Sequence, residues 1–68
     1  MLNRRPIKYL NLFREMAGKG ETMTMLGKLL GVGRDTISRK LSGRAEWTIG
    51  EIEIICNHYN KDYYELFK

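Results

Sequence analysis

Between Leu26 and Gly43 the chain reads LGKLLGVGRDTISRKLSG, and four of its seven glycines fall in this stretch among apolar residues at helical spacing. Leu26, Leu29 and Leu30 precede Gly31, and Ile37 and Leu41 follow Gly33 as an i, i+4 pair, so two short helices separated by a Gly31-Val32-Gly33 turn are predicted. Gly31 supplies the C-terminal turn of the first helix and Val32 plugs the corner. Gly27 lies inside that helix, where glycine costs about 1 kcal/mol relative to alanine. A second helix pressed close is the expected reason; on that expectation alanine is accepted at this position and valine overpacks it.

Size sets the rest of the frame. A chain of 68 residues makes one domain, residues 1–68. It buries only about 60% of its unfolded surface, so nearly every large apolar residue must serve the core. The lone Cys56 cannot form an internal disulfide and reads as a buried apolar residue. No signal peptide or apolar run of about 18 residues is present, which favours a soluble protein of a reducing bacterial cytoplasm. The net charge of +4 is unevenly spread. Residues 1–44 hold ten Lys/Arg against three acids, whereas residues 45–68 hold two against five. The basic half is the half that contains the two-helix unit, residues 22–42.

Taken in order, Met1 to Arg5 predicts a loose arm, and Pro6 suits the first position of a helix. Ile7, Leu10, Phe13 and Met16 then recur at helical spacing, so helix 1 is expected from Pro6 to Ala17, ended by Gly18-Lys19-Gly20. Thr22 is the expected N-cap of helix 2, with Leu26, Leu29 and Leu30 inward and Lys28 outward. Helix 3 is expected over Arg34 to Ser42, closed by Gly43.

The next signals are the clearest in the chain. Thr48-Ile49-Gly50-Glu51 has capping-box spacing, with Trp47 placed to staple onto Ile52. Helix 4 should therefore begin at Thr48, bury Ile49, Ile52, Ile55, Cys56 and Tyr59, and turn Glu51, Glu53 and Asn57 to water. Asn60 tolerates a left-handed turn, and Asp62-Tyr63-Tyr64-Glu65 repeats the capping-box spacing before the anchors Leu66 and Phe67. Five helices and no strand follow, an all-α domain.

Thr22 through Phe67, about two thirds of the chain, resembles the helix-turn-helix domain of the phage Cro and repressor family, also named after the xenobiotic-response-element regulators. Gly27, Gly31 and Val32 occupy that family's small helix-2 residue, helix-ending glycine and apolar turn residue. Gly33-Arg34-Asp35-Thr36-Ile37-Ser38-Arg39 through Gly43 is similar to its recognition helix, and Asp62 to Phe67 to its closing Glu-Leu-Phe helix. The resemblance implies a compact five-helix lambda-repressor-like fold. Met23 stands where the family commonly has a phosphate-binding glutamine, and Gly33 where it commonly has a serine or threonine cap.

Groove geometry points the same way. The major groove of B-DNA admits one helix, read by side chains near its N-terminus. With Ile37 and Leu41 inward, Arg34, Asp35, Ser38 and Arg39 fall on the outer side as candidate base contacts. Arg39 suits guanine; Asp35 either accepts from cytosine or holds Arg39 one turn away, and the second role, with the two residues coupled on DNA, is the one expected. Thr36, Lys40 and Arg44, with Thr22 and Lys28 on helix 2, are candidate phosphate contacts, and Arg4 and Arg5 candidate arm contacts.

Plainer readings compete. A basic helix face is often only solvated. Met16, Met23 and Met25 fit core or edge filling better than a binding surface. His58 has no ligand-spaced partner, so no metal is expected, and Gly31-Val32-Gly33 lacks what a dinucleotide site requires. Tyr59, Tyr63, Tyr64 and Phe67 are many aromatics for one chain end, and they are the candidate homodimer surface, since small domains of this kind read pseudo-palindromic operators in pairs. The expected function is a phage or prophage Cro-type repressor acting at the nucleoid on double-stranded operator DNA. No cofactor, small-molecule ligand or membrane partner is expected, and no residue cluster suits catalysis. The alternative from another class is a helical protein-interaction module of antirepressor or antitoxin type.

Overall fold

The computed structural model of the chain describes residues 6–68, which form five helices in sequence: α1 (Leu10–Gly18), α2 (Met23–Leu30), α3 (Arg34–Leu41), α4 (Ile49–Tyr59) and α5 (Tyr63–Phe67). Among the described residues there is no strand, and no helix is long and apolar enough to cross a membrane. The arm expected at residues 1–5, with Arg4 and Arg5, lies outside the described residues.

The helix ends follow local chemistry. Thr22 Oγ1 accepts the Met25 amide at 3.2 Å and so caps α2. Thr48 and Glu51 exchange both capping-box bonds at the start of α4, as do Asp62 and Glu65 at α5. Gly31 (φ 76°) closes α2 and Asn60 (φ 56°) closes α4, both left-handed. That conformation costs glycine little and asparagine less than most side chains.

The start of α1 differs from expectation. Residues 6–9 are not helical, and Tyr9 is the N-cap, without a side-chain bond. The Lys8 and Tyr9 amides instead donate to the Leu41 carbonyl, at 2.9 and 3.2 Å. Helix ends leave their last carbonyls without intrahelical partners, and this strap supplies partners for the end of α3. Tertiary bonding thus overrides the helix-opening preference of Pro6.

The core is Leu12 and Met16 from α1, Leu26 from α2, Ile37 and Leu41 from α3, Ile55 and Tyr59 from α4, and Leu66 and Phe67 from α5. Each such side chain, fully buried, stabilises by about 1.5–3 kcal/mol. Partly buried Val32 packs against this cluster from the α2–α3 turn, and Trp47 and Ile52 from the start of α4. Three residues of the expected apolar stripes are on the surface. Leu10 is 43% exposed, with Leu12 of α1 buried in its place, and Leu29 is 39% and Ile49 78% exposed, because the stripe that each of these two continues in sequence extends past what its helix packs against. Glu51, expected in water, is turned inward onto Lys40.

Candidate nucleic-acid interface

The backbones of α2 and the following turn meet at Gly27. An added Cβ there would lie 2.5 Å from the Val32 carbonyl oxygen, so the turn rests directly on the glycine. The close neighbour is backbone of the turn rather than a side chain of the next helix, and alanine does not fit without displacement. This corrects the expectation that alanine is accepted. The Val32 amide also donates to the Gly27 carbonyl, at 2.8 Å, which fixes the direction in which the chain leaves for α3.

On α3, Ile37 and Leu41 are fully buried, and this rotation leaves Arg34, Asp35 and Arg39 exposed, with Thr36 and Ser38 half-buried beside them. Asp35 lies in the first turn, where the helix dipole favours a carboxylate. Among the described residues no ion pair joins Asp35 to Arg39. Exposed pairs at this spacing gain little against the entropy of two free side chains, so the expected restraint of Arg39 by Asp35 is corrected: the two side chains are not joined in the free chain.

After α3 the chain folds back on itself. The Ser42 hydroxyl and the Arg44 and Ala45 amides all donate to the Arg39 carbonyl, at 3.0, 2.9 and 3.2 Å. Gly43 permits the reversal at φ 85°. Arg44 is thereby held, exposed, at the C-terminal end of α3, while Lys28 and Thr22 are exposed on α2. Arg44 and Lys28 retain the freedom that phosphate contacts require, while the Thr22 oxygen is engaged as the α2 cap and only its hydroxyl proton is left to donate.

Lys40 does not. It is 8% exposed; its ammonium pairs with Glu51 and lies 5.7 Å from the centroid of the Trp47 ring. Its assignment as a phosphate contact is corrected: the charge is satisfied inside the fold. Burial pushes the Glu51 carboxyl up, but the bonds from Lys40 and Thr48 outweigh this and hold it below the usual carboxylate range.

Two of the four aromatics expected at a dimer surface are also corrected. Tyr59 is 4% exposed and Phe67 6%, both core residues, whereas Tyr63 and Tyr64 remain exposed. The Tyr59 hydroxyl donates to Glu21 at 2.6 Å, and His58 Nε2 lies 2.9 Å from the same carboxylate. These bonds, that of Tyr59 foremost, hold Glu21 below the usual carboxylate range, while burial and Glu21 push the Tyr59 phenol up. The network locks the α1–α2 loop to the end of α4 just ahead of the Thr22 cap. No local signal announces it, since Glu21 and Tyr59 are 38 residues apart.

Comparison of the chain with family models, with curated proteins and with solved structures finds no match.

Proposed function

We propose that this chain is a sequence-specific DNA-binding regulator of transcription, with α2 and α3 as a helix-turn-helix in a lambda-repressor-like fold. The observation that carries the proposal is the division of α3: Ile37 and Leu41 are completely buried beneath an outer side of Arg34, Asp35 and Arg39. The turn backbone pressed on Gly27 holds that helix against α2.

On this proposal α3 enters the major groove. Arg39 makes a two-pronged contact to guanine, Asp35 accepts from a cytosine amino group, and Arg34 and Ser38 read neighbouring base edges. Thr22 and Lys28 from α2, with Thr36 and Arg44 flanking α3, meet phosphates and set the register without specifying sequence. Arg4 and Arg5 extend the backbone contact. One such helix buries too little to choose a site alone, so a pair of chains covers an inverted repeat and blocks a promoter in the manner of Cro.

Selection of bound duplexes from a random pool tests the proposal. The expected product is an inverted repeat with half-site centres about 34 Å apart, bound with steep salt dependence. Absence of any enriched sequence overturns it. Salt-dependent capture of an acidic protein without duplex preference would assign the alternative, a helical protein-interaction module.

A further inference from the structure

The most exposed large apolar side chain among the described residues is Ile49, at the first position of α4 and 78% in solvent. Nothing in the local fold calls for it, since Thr48 and Glu51 already complete the cap. One helical turn later Ile52 lines an open cleft of about 210 Å³, walled by Tyr9, Trp47, Tyr63 and Phe67. The rings brace one another: Tyr9 meets Trp47 edge to face at 6.2 Å, Trp47 meets Phe67 at 5.7 Å, and Tyr63 stacks on Phe67 at 5.6 Å. The cleft is therefore built before anything enters it. Its lining includes one cation and one anion, Lys8 and Glu46, both exposed.

We propose that this end of the molecule is an isologous dimer interface, in which Ile49 of each chain enters the aromatic cleft of the other and Lys8 of each chain faces Glu46 of the other. Size permits it, since an apolar cavity of about 150 Å³ accepts benzene, a larger group than the four-carbon side chain of isoleucine. Charge selects a second copy over another partner. Under a two-fold axis one Lys8 and one Glu46 per chain make two complementary pairs and leave no charge over. The apolar knob and its hole also belong to the same chain, separated by one helical turn. Tyr64, 72% exposed beside Tyr63, extends the patch.

The inference supplies the paired chains required by the proposed operator binding, yet its test uses no DNA, so the two fail separately. Sedimentation equilibrium of the full chain should show a monomer–dimer equilibrium. Ile49→Glu should weaken it at least about tenfold, as loss of a central apolar anchor does. The acid suits the first turn of a helix, so circular dichroism should show the fold intact. Lys8→Glu and Glu46→Lys should each weaken self-association, because each homodimer then opposes like charges twice. An equimolar mixture of those two variants should dimerise again, since every contact in the mixed dimer pairs opposite charges. A wild-type chain monomeric up to about 1 mM, an Ile49→Glu variant that associates like wild type, or a mixture that stays monomeric would each overturn the proposal.

Discussion

Lys40 at the end of α3 and Glu51 in the first turn of α4 stand eleven residues apart and share a partly buried ion pair. The same Glu51 oxygen accepts the Thr48 amide at 3.0 Å, so one carboxylate both caps α4 and holds the C-terminal end of α3. A lysine on a basic helix has thereby become a strut between helices.

Lys40→Met should therefore leave the salt dependence of DNA binding unchanged, whereas Arg44→Ala should flatten the slope of log affinity against log salt by about 0.9 per phosphate lost. Lys40→Met should also destabilise the fold by about 1–3 kcal/mol, between the values for exposed and fully buried pairs. Glu51→Gln keeps an acceptor for Thr48, and a double-mutant cycle in denaturant melts should show the two sites coupled. A reduced salt slope for Lys40→Met would return this residue to the DNA surface.

Gly27→Ala should destabilise by about 1–3 kcal/mol, the usual cost of overpacking, despite the better helix propensity of alanine. The Val32 carbonyl that an added Cβ would meet is backbone and has no rotamer to yield. Urea unfolding decides the point, and an unchanged or raised midpoint contradicts it.

Asp35 and Arg39 should act on DNA independently, being exposed and, among the described residues, not paired with each other. Arg39→Ala should cost about 1–3 kcal/mol on the selected site and relax the choice at one base pair per half-site. Asp35→Asn removes repulsion from phosphates and should strengthen non-specific binding. The two effects should add in competition assays on the selected duplex, and strong coupling would instead indicate a pair formed on DNA.

Acid should loosen the α1–α2 loop. The Glu21 carboxyl is held below its ordinary value of 4.5 by Tyr59 and His58. A depressed acid contributes stability that is fully present above its unfolded pKa and is lost as pH falls through the folded one. Wild-type stability should accordingly fall as the pH drops below about 4.5, and Glu21→Gln should lower stability at pH 7 while flattening that fall. Thermal melts from neutral to acidic pH measure both. Parallel profiles for the two proteins would remove Glu21 from the account.

The caps and turns of this chain were legible because their causes lie within a few residues of one another. Thr48 finds Glu51, Asp62 finds Glu65 and Thr22 finds the Met25 amide inside a single helical turn, while Gly31 and Asn60 tolerate left-handed geometry wherever they stand. The orientation of α3 was legible for a similar reason, since Ile37 and Leu41 define its buried side by spacing alone. Other outcomes depended on contacts made across the fold. Helix 1 begins at Leu10 because the Leu41 carbonyl captures the amides of Lys8 and Tyr9. Lys40 and Glu51 turn inward because each is the other's partner, and the buried Tyr59 finds an acceptor for its hydroxyl in Glu21, 38 residues away. Ile49 shares the spacing of Ile52 and Ile55 yet stays in water, because no described element reaches the first residue of α4. Periodicity marks a face as apolar, but only the placement of neighbouring helices determines how far along that face the covering extends.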